Sequence, residues 1–361
     1  MPAGSVAGRR VGTLLVVAAL AAGGCACVAR LATGRGPQIC RDVISDSGAA
    51  ITWIGPPDAR DREKLSDWCA TVGPLVYEPI PARGVSPSVD RVAIVSWNTH
   101  VGAGDLDAVL DRAARGDFTS GERADAVVML LQEVYRHGPE VPERPNPAAA
   151  IPGRIVDALH ATHGHDVRRF ARERGFALFY APSMRNGLDP SDPEDRGNAI
   201  AATISLSDPA VIELPFGHQR RAVPVATLAA RTSDGRAWRL RVADVHLDTA
   251  LAITRGGPLA SRRRQADALV SALNALPFDG PTIVAGDFNT WLGDREPAIR
   301  LLRAAYPDAP PLAVATWAGP LGMRAPLDYV FARGALTTMR VQRLPDRFGS
   351  DHYPLVAVMS F

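Results

Sequence analysis

Short apolar runs, most of them followed by polar residues, dominate the chain from Val92 onward. "VAIVSW", "AVVMLLQE", "FALFY", "AIAATISL", "AVIEL", "VPVATLAA", "WRLRVADVHL", "TIVAGDF", "LDYVFA", "TTMRVQRL" and "PLVAVMSF" each have strand length and strand composition. Longer segments between them carry helical spacing. In "ASRRRQADALVSALNAL", Ala266, Leu269, Val270, Leu273 and Leu276 recur on one helical face. "DLDAVLDRAARG" is expected as a helix capped by Asp105. "RIVDALHATHGHDVRRFARERG" is expected to be helical on either side of Gly164, and "REPAIRLLRAAY" to form another helix. No internal repeat of fixed period is present. Many strands with helices between groups of them argue for an α/β chain with packed sheets and helices outside.

Residues 30–90 carry no such rhythm. They are rich in Gly, Pro and Asp, with one short helix expected inside "IGPPDARDREKLSDWC", and read as an irregular extension clipped to a main domain over 91–361. Residues 1–29 differ again. Arg9 and Arg10 precede an apolar run from Val11 to Ala29, the order of an export signal or a retained membrane anchor. Cys25 follows "LAAGG", a loose likeness to a lipoprotein cleavage box with Ala22 where Leu is usual, so lipidation at Cys25 stays open. An exported chain places Cys40 and Cys69 where thiols oxidise, and a disulfide between them is expected.

Composition narrows the picture little further. The chain has 361 residues and 47% hydrophobic residues, enough for a core, and a formal net charge of +2, so no basic field advertises nucleic acid. Lys64 is the only lysine among 40 basic residues, which reads as codon bias rather than phosphate binding.

Chemistry gathers at the strand ends. "IVSWNTH" ends in Asn98, "VMLLQE" in Glu133, and "IVAGDFN" in Asp287 and Asn289. "VADVHLD" carries His246 and Asp248, "PLDYVF" begins with Asp328, and "GSDHYPL" sets Asp351 and His352 before the last strand. Residues i and i+2 of a strand share a face, so Asp287 and Asn289 are expected side by side, although Gly-Asp and Asn also open turns. Oxygen ligands without Cys suit a hard cation such as Mg2+. Histidines beside carboxylates suit proton transfer, and the combination favours attack on phosphorus. There is no G-x-S-x-G and no Walker loop.

In that order "SWNTH", "LLQE", "RGNAIAATISLSD", "ADVHLD", "AGDFNTW", "LDYVF" and "SDHYPL" resemble the motif series of the endonuclease/exonuclease/phosphatase family. The resemblance covers about Val92 to Phe361. It implies a four-layered α/β/β/α sandwich, two mixed sheets packed face to face with helices outside, and Mg2+-dependent cleavage of phosphate esters, with Mn2+ a possible substitute. By family role Glu133 would be the main metal ligand, with Asn98 and Asp351 nearby. Asp287 and Asn289 would position water and phosphate, His352 paired with Asp328 would serve as base or phosphate stabiliser, His246 would contact the scissile phosphate, and Asn198 would line the site. Departure from the inositol phosphatase pattern after Asn289 (Thr290-Trp291) leaves two substrate classes, nucleic acid and phospholipid headgroups. A monomer acting outside the cytoplasm is expected. The alternative is an inactive member that binds a phosphate ligand without processing it.

Other polar residues are expected to be structural. His100 and Asp248 lie near the rim, and Arg220 and Arg221 suggest salt bridges. Arg262, Arg263 and Arg264 suggest a solvated face, and Trp291 a core side chain. His160, His163 and His165 suggest solvated residues around a helix break.

Overall fold

Strand alternation sorts the apolar residues onto two faces of each of two sheets. The computed structural model describes residues 31–32, 40, 42–45, 47–82, 88–121, 123–143, 166–186, 191, 193–249, 257–334 and 338–361. The expected leader with Cys25 and Cys27, the helix over 154–165, and His160, His163 and His165 lie outside the described residues.

The seven-stranded sheet runs β1 (Leu31–Ala32), β3 (Thr52–Ile54), β9 (Leu206–Glu213), β10 (Ala222–Arg231), β11 (Ala237–His246), β12 (Thr282–Asp287), β15 (Asp328–Arg333). The eight-stranded sheet runs β16 (Thr338–Arg343), β17 (Leu355–Ser360), β5 (Arg91–Asn98), β6 (Ala126–His137), β8 (Glu194–Ala202), β7 (Ala177–Arg185), β4 (Leu75–Glu78), β2 (Val43–Ser45). Both are mixed: β11–β12, β3–β9, β5–β6 and β2–β4 are parallel, and the other pairs are antiparallel. A separate short hairpin pairs β13 (Trp317–Ala318) with β14 (Arg324–Ala325).

Among the described residues the α-helices are α1 (Ala59–Cys69), α2 (Leu106–Ala114), α3 (Val167–Arg174), α4 (Gly257–Ala275) and α5 (Pro297–Ala305). Asp58, Asp105 and Asp166 cap the first three by accepting backbone N–H bonds, as the sequence expects for Asp105.

Three apolar layers fix the order of the elements. Val92, Ile94, Val128, Leu130 and Ile200 of one sheet meet Leu228, Leu240, Val242, Ile283 and Ala285 of the other. Their alternates Val95, Trp97, Met129 and Leu131 pack outward against Val109 of α2 and Phe170 of α3. Val245, Val284 and Phe331 pack outward against Leu269 of α4 and Ile299 of α5. The result is the α/β/β/α sandwich, and each fully buried Leu, Ile or Val contributes roughly 1.5–3 kcal/mol.

The segment 30–90 departs from its expected irregularity. Its one helix, α1, falls inside "IGPPDARDREKLSDWC" as expected, but the segment also supplies β1 to β4, places short strands on both sheets, and puts Trp53, Leu65, Leu75 and Tyr77 into the central core. Strands of two to four residues are too short to show alternation in the sequence. Cys40 and Cys69 form a disulfide that joins the start of this segment to the end of α1.

Two other boundaries differ. The run "AIAATISL" straddles the end of β8 and the start of β9, so "RGNA" lies within β8 rather than ahead of it. The helix expected over "ASRRRQADALVSALNAL" begins earlier, at Gly257, so Arg262, Arg263 and Arg264 stand well inside α4.

Candidate active site

The apolar layer between the sheets gives way at one end to polar residues on the same inward faces. Ile283 and Ala285 point inward, so Asp287 does too. The same parity carries His246 inward after Leu240 and Val242, and Asp328 inward before Val330. Cross-strand register then sets these three in one row: His246 opposite Asp287, and Asp287 opposite Asp328. Gly286 has φ 147°, and a Cβ there would stand 1.8 Å from the Val245 carbonyl oxygen. Only glycine lets β12 come so close to β11 just before Asp287.

The facing sheet supplies the other wall. Asn98 ends β5 on the inner face, and its Nδ2 donates to Asp287 Oδ2 at 3.0 Å across the gap between sheets. Gln132 Nε2 likewise donates to Asp244 Oδ1 at 2.5 Å, and Asn198 Nδ2 to the Asp244 carbonyl at 3.2 Å. Glu133 was expected to end its strand. Instead β6 continues to His137, and the pairing with β8 shifts register between Leu131 and Val134. Glu133 sits in that bulge at φ 55°, which turns its carboxylate out of the strand rhythm toward the cleft.

Asp287 and Asn289 do not lie on one face of a continuing strand. β12 stops at Asp287, and Asn289 takes a left-handed conformation at φ 51°. Its backbone N–H donates to Asp287 Oδ1 at 2.9 Å, while its Nδ2 donates to the Leu247 carbonyl at 3.0 Å. The turn and the site are therefore the same feature: an Asp-anchored turn holds both side chains at the cleft.

The segment before β17 closes the site. Ser350 Oγ donates to the Asn98 carbonyl at 2.7 Å and accepts from His352 N at 3.0 Å, and Trp97 Nε1 donates to the His352 carbonyl at 3.1 Å. His352 Nδ1 is thereby placed 2.8 Å from Asp328 Oδ2. Burial works against charge on this imidazole, but Asp328 and Asp287 outweigh it and raise its pKa to about 10. His352 is thus an imidazolium at neutral pH. Asp351 is held below the usual carboxylate range despite burial, by His100, His352 and the indole N–H of Trp317.

His246 has the opposite setting. Its Nδ1 lies 3.1 Å from Arg221 Nη1, and its Nε2 lies 3.5 Å from Asp287 Oδ2 and 3.8 Å from Glu133 Oε1. Burial and the neighbouring cations Arg221 and Arg196 push its pKa well down, so it is neutral. Burial also pushes Asp287 up to about 7, against the pull of His352 and with the push of Asp328 opposite.

The cleft holds about 230 Å3 and is lined by Asn98, His100, Glu133, Asp287, Asn289, Asp351 and His352, with Trp291 and Trp317 on its rim. His246 and Asp328 lie behind these residues, buried. Asn198, expected to line the site, is buried beneath it and bonded to Asp244 O, outside the cleft lining.

Other polar and aromatic residues take a mixture of expected and unexpected places. Arg220 pairs with Glu213 as a buried salt bridge, while Arg221, next in sequence, reaches His246. Arg196 stands 3.8 Å from Glu133. Asp244 is fully buried, with burial pushing its carboxyl well up; its position two residues before His246 on one strand face is the signal that would have found it. Trp291 is not core: it is 40% exposed and meets Trp317 edge to face at 5.1 Å. Arg262 is not on a solvated face but buried against Glu296. Asp248 is structural, accepting from His218 N and Ser261 Oγ.

Among the described residues, two donor sets around the cleft could hold a cation. Asp287, Asp328 and His352 bring ligand atoms within 4.8 Å of one another. In that set His352 Nδ1 is already committed to Asp328. Asn98, Glu133 and Asp351 line the same cleft with oxygen donors only, the chemistry a hard divalent ion takes.

The model of the Endonuclease/Exonuclease/phosphatase family matches residues 95–352. No curated protein matches the chain. Among solved structures, an endonuclease/exonuclease/phosphatase family protein from Leptotrichia buccalis is similar, with 14% identity over 75% of this chain and 100% of that one, at a TM-score of 0.50. An endonuclease/exonuclease/phosphatase from Beutenbergia cavernae has 17% identity over 75% of this chain and 72% of that one, at 0.49. Truncated Caenorhabditis elegans TDP2 has 14% identity over 75% and 98%, at 0.40. The matched span begins within β5 and ends at His352, enclosing every residue that lines the cleft, and the chain belongs to the endonuclease/exonuclease/phosphatase family.

Proposed function

We propose that this chain is a divalent-metal-dependent phosphodiesterase that acts outside the cytoplasm. Family membership already supports phosphoester hydrolysis, typically dependent on a divalent metal. The observation that carries the finer reading is the setting of Asp287. Its Oδ2 lies 3.5 Å from Nε2 of a neutral histidine, His246, and 3.8 Å from Nε2 of a charged one, His352, in a cleft that also presents Asn98, Glu133 and Asp351.

The residues divide the work as follows. Glu133, Asn98 and Asp351 would hold Mg2+ or Mn2+, which supplies Lewis-acid stabilisation of phosphate charge when bound. Asp287, pushed up to about 7, can take a proton from an attacking water near neutral pH. Asn98 Nδ2 and the Asn289 N–H hold that carboxylate in place. His246 Nε2, buried and without a partner, can donate to a phosphate oxygen, and the His352 imidazolium can offset charge that builds there.

Nucleic acid and phospholipid headgroups both present the required diester. Action outside the cytoplasm is supported by the Arg-led apolar run over 11–29 and by the Cys40–Cys69 disulfide.

The test is hydrolysis of bis-p-nitrophenyl phosphate, plasmid DNA, RNA and sphingomyelin by the purified chain. EDTA should abolish turnover and Mg2+ or Mn2+ should restore it. Full activity with metal content verified as nil would overturn metal dependence. Inertness on every diester with metal bound would point to a binding module.

A further inference from the structure

We infer that Arg221 is a positioning residue that fixes His246 as the Nε2–H tautomer and so aims its one ring donor at Asp287 and Glu133, which line the cleft. A guanidinium has only N–H donors and no acceptor. The 3.1 Å contact between Arg221 Nη1 and His246 Nδ1 therefore requires a lone pair on Nδ1. A neutral imidazole carries one ring proton, which must then sit on Nε2, the atom facing Asp287 and Glu133. Nε2 makes no hydrogen bond, although His246 is only 3% exposed. A buried donor without a partner is costly unless a ligand supplies one.

The arrangement around Arg221 keeps this contact in register. Its carbonyl accepts from Leu214 N at 2.9 Å, just ahead of β10, and the neighbouring Arg220 is tied separately to Glu213. Arg221 itself is 4% exposed; burial and nearby Arg196 lower its pKa from the ordinary arginine value, and Asp248, Glu133 and Asp287 partly offset that. The two site histidines are thus set apart by their Nδ1 partners. An acid at Nδ1 makes His352 a cation, and a cation at Nδ1 makes His246 a neutral donor. This role rests on the proposed hydrolase reading for its purpose, but the tautomer itself does not.

The experiment is long-range 1H–15N spectroscopy of the full chain with 15N-labelled histidine, with the His246 signals assigned by their loss in His246→Asn. At pH 7 the wild type should show His246 as neutral Nε2–H. Arg221→Met should give a mixed tautomer and lower kcat about tenfold or more, with a smaller change in KM. Arg221→Lys keeps a donor and should restore both the signature and much of kcat. A wild-type His246 found as Nδ1–H or as imidazolium would overturn the inference, as would an unchanged Nε2–H signature in folded Arg221→Met. Should that variant not fold, the wild-type and lysine spectra decide. Should the wild type hydrolyse no diester, the hydrolase reading fails and the spectra still decide the tautomer.

Discussion

Asp328 opens β15 of one sheet, His352 lies in the segment leading into β17 of the other, and the two meet at 2.8 Å with both side chains buried. Asp328 is fixed by Thr316 Oγ1, which accepts its backbone N–H at 2.9 Å, and His352 by Ser350. The pair is therefore rigid, and its chemistry should respond as one unit. His352→Ala should lower kcat by about 100-fold or more, the scale of lost acid–base or charge stabilisation. Asp328→Asn should be nearly as damaging. The double variant should lose little more than either alone, since both act through one imidazole. Steady-state kinetics on bis-p-nitrophenyl phosphate check this, and losses that multiply would separate the two residues.

The same pair predicts a pH dependence of stability. The folded-state pKa of His352 is raised to about 10 from the ordinary 6.5: burial opposes the charge, and Asp328 and Asp287 prevail. A raised histidine stabilises fully below its unfolded pKa, and that contribution is lost as pH rises through the folded value. In EDTA, urea midpoints of wild type and His352→Gln should differ most below about pH 6.5 and converge toward pH 10. A gap that stays constant across this range would show that the imidazole does not hold its proton.

Glu133 should govern metal affinity. Glu133→Gln removes the charge and keeps the shape, so the Mg2+ concentration giving half-maximal activity should rise about tenfold or more. A titration that superposes on wild type would remove Glu133 from the ligand set.

The disulfide should matter for stability and little for the cleft. Closing a loop of about 30 residues contributes roughly 3.5 kcal/mol in the chain-entropy model. Cys40→Ser combined with Cys69→Ser should lower the denaturant midpoint accordingly while leaving the KM for a small diester unchanged. Cross-linked peptides in a non-reduced digest would show the bond directly, and two free thiols would refute it.

Asp195 should be a stability residue despite lying two positions from Gly197 in the "DRGNA" run. It accepts from Arg136 Nε and Nη2, Tyr180 Oη and Gly73 N, all buried. Asp195→Ala strands a buried guanidinium and should cost about 3–5 kcal/mol. Chemical denaturation measures this, and a loss under about 1 kcal/mol would contradict the network's role.

The sequence by itself determined which segments alternate and which turn helically, and hence the two inward faces. It also determined that Asn98, Asp287, Asp328 and His352 sit at or beside strand ends, because inward parity runs unbroken from Ile94 to Asn98 and from Ile283 to Asp287. That is why packed sheets with helices outside and the polar strand ends were legible, since periodicity is local and survives in a single chain, while the four-layered sandwich and the residues' roles rested on the resemblance of the ordered motifs. Strands of two to four residues, such as β1 to β4, carry too little pattern for this, so the helix of the segment 30–90 was legible and its strands were not.

Tertiary structure alone decided the rest. A bulge, not a strand end, delivers Glu133, and a left-handed turn, not strand geometry, delivers Asn289. Two adjacent arginines, indistinguishable in sequence, part toward Glu213 and His246 because consecutive backbone positions face different neighbours. Charge states came last of all. Whether a buried histidine is a cation or a neutral donor depends on the partner that packing across sheets and loops places at its Nδ1, a long-range contact that no local pattern encodes.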